Sequence, residues 1–227
     1  MSKVNQLKNK ARREEQRENW SKAIELYTHA LDTSRKEGEA FADLSLYNRI
    51  GDIYLRIGQK NTAVRYYEQA IERYGEQDLH TSAIALCNKV LRIQPERSTV
   101  FLQLGRLHLA TNLIVDARAH YHRYAEAMRS RGSTTAAFES LEELIEETGD
   151  PQTLAMWATW LSRLPDRDEA LERVEELRGV LIGHGVEPDN IIEQVRTGEI
   201  EGVESTSSMD AAPDPLAAAF LLTPDSV

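Results

Sequence analysis

Apolar and small residues recur through the first part of the chain at the intervals of amphipathic helices. The clearest stretch contains Tyr47, Ile50, Gly51, Tyr54, Ala63 and Tyr67. Side chains three or four positions apart share one face of a helix. Gly51 and Ala63 are small enough to let two neighbouring helices approach closely. The pattern therefore predicts an antiparallel helical hairpin that needs further hairpins beside it.

The same spacing recurs elsewhere in the chain. Phe101, Leu104, Gly105, Ala117 and Tyr121 repeat it 54 positions later (47 to 101), with His108 in the position of Tyr54. Ala23, Tyr27 and Ala30 repeat its second half, after a first half reduced to Leu7 and Ala11. The interval of 54 residues is about twenty residues longer than one repeat. The extra residues predict an additional helix over residues 79–94 that carries a second-helix pattern of its own, Ala83, Cys87 and Pro95.

The spacing aromatic-x2-Leu-Gly-x2-Tyr followed by Ala-x3-aromatic resembles the tetratricopeptide repeat, whose period is about 34 residues. Residues 3–131 are identified as repeats of this family. The resemblance implies an all-α, right-handed solenoid of antiparallel hairpins with about ten helices, followed by an extended C-terminal tail. It also implies a non-catalytic protein–protein interaction scaffold.

Helical patterns continue after residue 131, but the repeat signature fades. Ser133 and Asp150 are candidate N-caps of two further helices, and Asp166 lies in the first turn of a third that Gly183 and Gly185 end. We predict repeats over residues 1–131, degenerate capping helices over residues 132–183 and an acidic flexible tail over residues 184–227. Trp157 and Trp160 are either core residues or exposed partner anchors.

Two apolar segments interrupt the tail. Ile191, Ile192 and Val195 favour a short helix that Asn190 and Glu193 would cap. The second segment contains Leu216, Phe220, Leu221 and Leu222 within an acidic surrounding sequence. Such a segment is typical of a linear motif that becomes ordered on a partner, although it could also dock on the chain's own solenoid.

Charge is distributed unevenly along the chain, whose net charge is −10. Residues 1–131 contain 22 Lys and Arg against 16 Asp and Glu, a net of +6; residues 132–227 contain 5 against 21, a net of −16. No apolar run approaches the roughly 18 residues of a membrane span, and the N-terminus lacks the apolar segment of a secretory leader. We expect a cytoplasmic protein in which Cys87, the single cysteine, fills the core.

In the family that the chain resembles, the first helices of successive hairpins line a ligand groove. The equivalent positions place Lys8, Arg12, Asn48, Asp52 and Arg106 in the partner-binding groove, and we expect the neighbouring Arg49 to reach it as well. Lys and Arg hold carboxylates through charge-assisted hydrogen bonds, so an extended acidic peptide is the expected ligand. Chaperone-tail recognition is not expected, because Arg12 replaces the family's asparagine and the basic pair of the third repeat is absent.

The sequence contains no glycine-rich phosphate loop, nucleophile elbow or paired carboxylates in a recognisable context, so we expect no catalysis and no cofactor or metal. His120 and His122 lie two positions apart and face different ways on a helix, whereas His108 occupies a packing position. Two other hypotheses remain open beside the adaptor. One is a structural subunit of a larger complex, possibly membrane-associated, that is anchored by the tail; the other is weak nucleic-acid binding by the basic first helix.

Overall fold

The computed structural model describes residues 2–36 and 44–198, which form twelve α-helices and no strand. The chain divides into two compact units, at Trp157. The first unit contains eight complete helices: α1 (Lys3–Gln16), α2 (Trp20–Lys36), α3 (Leu44–Arg56), α4 (Lys60–Gly75), α5 (His80–Ile93), α6 (Ser98–Ala110), α7 (Ile114–Ser130) and α8 (Thr134–Thr148). The all-α solenoid class predicted from the sequence is confirmed.

Three hairpins organise the first unit: α1 packs on α2, α3 on α4 and α6 on α7. Glycine allows the close contact in two of them. A Cβ atom added to Gly51 would lie 2.6 Å from Cε1 of Tyr67, and one added to Gly105 would lie 2.6 Å from Cδ2 of Tyr121. Both distances are too short for any other residue, so the predicted role of these glycines is confirmed.

The helix α5 packs on α4 and α6 and joins no hairpin of its own. Its buried side chains Ala83, Leu86 and Cys87 belong to the apolar core that extends from α3 to α6. Polar contacts strengthen this packing, because Arg97 donates two hydrogen bonds to Glu68 of α4, at 2.8 and 2.9 Å. The predicted additional helix therefore exists.

The irregular pairing predicted at this helix recurs, because α8 packs on α7 in the same way that α5 packs on α4. Backbone conformations repeat with the same interval of 54 residues. Left-handed φ angles occur at Gly58 and Asn112, and again at Asp78 and Gly132. Residues 44–97 and 98–151 thus form two consecutive three-helix modules, and α8 belongs to the second module.

Helix α9 (Pro151–Leu161) begins in the first unit and ends in the second. Asp150 caps it, since its Oδ2 atom accepts hydrogen bonds from the Thr153 amide and hydroxyl, both at 2.8 Å. Gly149 ends α8 in the left-handed conformation, as the sequence predicted, but Ser133 makes no side-chain cap at its start. Trp157 is fully buried and donates to Glu142 at 3.0 Å, which confirms its core position.

The second unit contains α10 (Arg167–Glu176), α11 (Arg178–Gly183) and α12 (Pro188–Thr197). Asp166, predicted in the first turn, is instead the N-cap of α10. The single predicted helix is split at Leu177, close to Gly179, a residue of low helix propensity. With α12 this division explains why twelve helices are present where about ten were predicted.

The short helix predicted around Ile191, Ile192 and Val195 is present as α12, and all three side chains are buried against the second unit's core. The predicted Asn190 cap was wrong. Glu187 precedes the helix and Pro188 occupies its first turn, a position where a missing backbone N–H is harmless. The boundaries at residues 131 and 183 stay predictions.

Candidate functional site

A groove of about 1000 Å³ lies on the first unit, between side chains of α1, α2, α3 and α5. Four of the six residues predicted for the partner-binding groove line it: Lys8, Arg12, Arg49 and Asp52. Asn48 and Arg106 are not among its lining residues. The structure thus brings together most of the predicted set from two separate hairpins.

Glu15 links three helices at this groove. Its Oε2 atom accepts hydrogen bonds from the Tyr27 hydroxyl of α2 and from Nε of Arg49 of α3, each at 3.0 Å. Burial, and then the neighbouring Glu15 carboxylate, raise the pKa of Tyr27. The Glu15 carboxylate is therefore bound by groups of the same chain, and these contacts hold α1, α2 and α3 together.

Asp52 makes a similar contact with a tyrosine in the first three-helix module, residues 44–97. It accepts a hydrogen bond from the Tyr67 hydroxyl at 2.8 Å and forms an ion pair with Lys89 of α5. Lys89 also donates to Asn48 at 3.3 Å and lies 4.5 Å from the centre of the Tyr67 ring. Asp52 and Asn48 thus position Lys89, and both are committed to contacts within the protein.

Arg106 takes part in the third such cluster. Its guanidinium donates to both carboxylate oxygens of Glu143, at 2.7 and 2.6 Å, and the Tyr121 hydroxyl donates to Glu143 at 2.6 Å. The hydrogen bonds to Glu143 raise the pKa of Arg106, and the same contacts hold the pKa of Glu143 below its ordinary value despite its partial burial. Arg106 therefore has an intramolecular partner.

Two arginines at the groove have no acidic partner among the described residues: Arg12 and Arg56. Both side chains are exposed. The Arg56 guanidinium carbon lies 5.2 Å from the centre of the half-buried Trp20 ring, within the range of a cation–π contact. The groove thus combines an apolar surface with positive charge that the described fold does not neutralise.

The groove-lining residues that the sequence interpretation missed include the charged residues Glu15, Arg56 and Lys89 and the aromatic residue Trp20. Lys89 was missed because α5 carries a second-helix pattern, whereas its side chain reaches α3 as a groove-lining residue would. The recurrence at 54 positions could have revealed it, since Lys89 and Glu143 occupy equivalent positions. Trp20 and Arg56 follow no repeat position, so only the folded chain brings them together.

His108 lies on α6, and His120 and His122 lie on α7. His108 stacks on His120, with ring centres 5.2 Å apart, and burial lowers the pKa of His120 to about 4. His122 faces elsewhere and contacts Thr153 at 3.0 Å, as the helix geometry predicted. The predicted packing of His108 is confirmed, but its buried Nδ1 atom has no hydrogen-bond partner in the structure.

The predicted tail motif, Leu216, Phe220, Leu221 and Leu222, lies outside the described residues. Within the described part of the chain, no helix combines the length and apolar character that membrane crossing requires.

Residues 6–76 match the family model of the tetratricopeptide repeat. No curated protein sequence matches the chain. Among solved structures, similarity is found to nearly identical TPR-like repeats from Podosopora anserina, with 18% identity, 78% of this chain and 94% of that one covered, and a TM-score of 0.35.

A TPR repeat-containing protein from Cytophaga hutchinsonii is 18% identical, with coverage of 88% and 74% and a TM-score of 0.33. The TPR2AB domain of yeast Sti1, solved as a pHSP90 complex, is 13% identical, with 86% of each chain covered and a TM-score of 0.29. At these low scores the solved structures carry no argument, and the family match applies to residues 6–76.

Proposed function

We propose that this chain, whose residues 6–76 match the tetratricopeptide repeat, is a non-catalytic interaction scaffold. It binds an extended acidic peptide of a partner protein in the groove lined by Lys8, Arg12, Arg49, Arg56 and Lys89. A cytoplasmic location and a second contact through the tail motif belong to the same proposal. These five residues lie on three helices, α1, α3 and α5, and contribute to one continuous surface. A peptide laid across them would contact several helices at once.

The observation that supports this function best is the charge balance of the groove. Five basic side chains line it against two acidic ones, Glu15 and Asp52. Both carboxylates already accept hydrogen bonds from tyrosine and pair with a basic side chain. A ligand carboxylate would therefore meet the guanidinium groups of Arg12 and Arg56, which have no acidic partner among the described residues. Guanidinium groups bind carboxylates in a planar, bidentate manner.

Trp20 suggests a second feature of the ligand. It packs partly on the apolar core of the first unit and is stacked by Arg56, while part of it remains accessible. An aromatic anchor beside cations favours a peptide that carries an apolar side chain between acidic residues. We therefore expect a partner motif in which an apolar residue lies between acidic residues.

Fluorescence anisotropy with a labelled peptide, in which glutamates flank one Phe-Leu pair, tests this function. We expect Arg12→Glu combined with Arg56→Glu to weaken binding by about tenfold or more, since charge-assisted hydrogen bonds contribute about 1.5–3 kcal/mol each. The affinity should also fall as salt rises.

Arg13→Glu combined with Lys60→Glu is the matched control. It makes the same change in net charge, starts from exposed residues of α1 and α4, and alters no groove-lining residue. Equal losses in the two double variants, or equal binding of a lysine-rich peptide by the unchanged protein, would show that the groove is not an acidic-peptide site.

The structural-subunit hypothesis is supported by a different surface. Leu113, Ile114 and Val115 begin α7 and are 47%, 38% and 67% exposed. The equivalent positions of the preceding module are Gln59, Lys60 and Asn61, so packing of the repeat does not require apolar residues there. If the chain is held in a stable complex through this turn, Ile114→Ser with Val115→Ser abolishes stoichiometric co-purification, whereas the Arg12 and Arg56 variants leave it intact.

A further inference from the structure

We propose that Glu15 determines the ligand specificity of the groove: it admits a peptide whose carboxylates are separated by uncharged residues and excludes nucleic acids, whose charge is continuous. The inference rests on the proposed function, because it concerns the same groove and the same peptide. Without the Glu15 carboxylate, the basic side chains of the groove would bind both classes of ligand. Nucleic acid is therefore excluded by one side chain and not only by the chain's net charge of −10.

Apart from its two carboxylates, the groove has the side chains of a site for single-stranded nucleic acid. Five basic residues line it, and Trp20 beside them is half-buried. Proteins bind single strands with basic grooves that follow the phosphates and with aromatic rings on which the bases stack. Lys8 and Arg12 also lie one turn apart on the same face of α1. Positive charge and an aromatic ring alone would not distinguish an acidic peptide from an oligonucleotide.

Glu15 lies among these cations and holds one of them. Its Oε1 atom contacts Nη2 of Arg49 at 2.5 Å, and its Oε2 atom accepts a hydrogen bond from Nε of the same guanidinium at 3.0 Å. The Tyr27 hydroxyl also donates to Oε2, at 3.0 Å. The Glu15 side chain is 14% exposed, whereas that of Arg49 is 50% exposed. A half-exposed guanidinium is thus neutralised by a carboxylate that is largely buried and held in place.

The pair of Glu15 with Arg49 lies close to a cation of a different kind. Arg12 precedes Glu15 by three positions on α1, so the two side chains share a face of that helix. Arg12 and Arg56 both line the groove and have no acidic partner among the described residues. The groove thus combines two cations that are open to a ligand with one fixed pair of zero net charge.

This arrangement opposes a continuous anion more than an interrupted one. A nucleic-acid strand carries one phosphate per nucleotide, so a strand that follows the groove brings a phosphate close to Glu15. That phosphate is repelled by the carboxylate and gains little from Arg49, whose charge Glu15 offsets. A peptide can place an uncharged residue at Glu15 and its carboxylates at Arg12 and Arg56. Glu15 thus acts against the wrong ligand, which is a common source of specificity.

Packing of the repeat does not require a cation at position 49. The equivalent residue of the second module, 54 positions later, is Gln103. There α6 packs on α7 as α3 packs on α4. The pair of Glu15 with Arg49 is therefore not dictated by the hairpin itself, and its charges are available for ligand selection.

Fluorescence anisotropy with two labelled probes tests the selection: the glutamate-flanked Phe-Leu peptide and a short oligothymidylate. Glu15→Gln removes the charge and keeps a side-chain oxygen that can accept from Tyr27. We expect the oligonucleotide to bind this variant about tenfold more tightly than the unchanged chain, because Arg49 is released, and its logarithmic salt slope to steepen by about 0.7. The peptide affinity should change much less. An unchanged oligonucleotide affinity, or equal gains for both probes, would overturn the proposal.

Asp52→Asn is the matched control, since it removes the other groove-lining carboxylate and makes the same change in net charge. Lys89, the partner of Asp52, should keep its contacts with Asn48 and with the Tyr67 ring. We therefore expect a smaller gain in oligonucleotide affinity than Glu15→Gln gives. Equal gains in the two variants would assign the effect to overall charge and contradict the proposal.

Adding Arg49→Gln to Glu15→Gln removes the released cation. Oligonucleotide affinity should then return to that of the unchanged chain. Persistence of the gain in this double variant would show that it arises from an altered fold, and the proposal would fail.

Competition on the unchanged chain needs no substitution and separates this inference from the proposed function. An excess of the oligothymidylate should leave the bound peptide in place. Displacement of a peptide whose binding depends on Arg12 and Arg56 would overturn the role of Glu15 and leave the peptide function standing. Failure of the peptide to bind the unchanged chain would overturn both.

Discussion

Glu143 accepts two hydrogen bonds from the guanidinium of Arg106, and this pair is the charge-inverted counterpart of Asp52 with Lys89. The positions correspond at an interval of 54 (52 to 106 and 89 to 143). Tyr67 and Tyr121 correspond as well, and each donates its hydroxyl proton to the carboxylate. What the module retains is therefore a carboxylate between a tyrosine and a cation, whichever helix supplies it.

This equivalence predicts that the first pair can be inverted. Asp52→Arg alone removes the acceptor of the Tyr67 hydroxyl and places a cation beside Lys89. We expect a loss of about 2–3 kcal/mol in the free energy of unfolding. Adding Lys89→Glu recreates the arrangement of the second module and should restore at least half of that loss. Urea denaturation of the two single variants and the double variant measures the coupling.

A coupling energy near zero would show that the two positions do not act as a pair. Arg13→Glu, on the exposed face of α1, makes the same change in net charge as Lys89→Glu and serves as the control for that variant.

Gly51 is predicted to be intolerant of even one methyl group. Its Cβ would meet Cε1, Cδ1 and Cζ of Tyr67 at 2.6, 2.9 and 3.1 Å. We expect Gly51→Ala to destabilise the protein by about 1–3 kcal/mol through overpacking, although alanine favours helix by up to about 1 kcal/mol. Thermal or urea unfolding checks this value.

Gly75→Ala is the matched comparison in the same unit, because its nearest contact would be Cδ2 of Leu107 at 3.8 Å. That substitution should be neutral or slightly stabilising. The steric explanation fails if the two alanine variants have the same stability.

Much of the first unit was predictable because its packing depends on local spacing. Gly51 with Tyr67, and Gly105 with Tyr121, appear in the sequence at fixed intervals, and the same intervals bring them into contact in the hairpins. The groove positions Lys8, Arg12 and Asp52 follow from the same phase, and Arg49 lies next to one of them. Repeat structure converts short-range periodicity into tertiary position.

The remaining features depend on which ions pair, and the spacing does not determine that. Arg106 fits the groove pattern, yet Glu143 of α8 binds its guanidinium. Lys89 lay outside the pattern, yet it reaches Asp52. Which ion pairs form depends on long side chains that extend between helices. A change in the sign of the charge at one repeat position, such as Asp52 against Arg106, changes the partner of that residue. The groove's net charge could therefore not be obtained from repeat positions alone.

Cys87 provides a probe of local opening. It is fully buried, and burial raises the pKa of its thiol to about 12. Only the thiolate reacts with disulfide reagents, so the folded chain should react roughly 10³-fold more slowly than the urea-unfolded chain, as expected when reaction requires opening. Reaction with DTNB followed at neutral pH measures the ratio. A rate close to that of the unfolded chain would place Cys87 outside a stable core.

His120 should make the stability of the first unit depend on pH. Its ring stacks on His108 and Phe101. Burial, then repulsion from His108, lowers the pKa of His120 from its ordinary value of 6.5 to about 4. The unfolded chain therefore binds the proton more readily than the folded one between these values. The free energy of unfolding should fall as pH decreases from about 6.5 to about 4, with no further loss from this group below that range.

Solvent reaches part of the His120 ring and screens its charge, so the expected loss is about 1–2 kcal/mol rather than the full value of the shift. Replacing His120 by Phe preserves an aromatic ring between Phe101 and His108 and removes the titrating group. Urea denaturation at several pH values should give parallel profiles above pH 7 and a shallower decline for His120→Phe below 6.5. The carboxylates Glu143 and Asp150 are present in both proteins, so the difference between the profiles isolates the histidine. Identical profiles would show that His120 takes up its proton without opposing the fold.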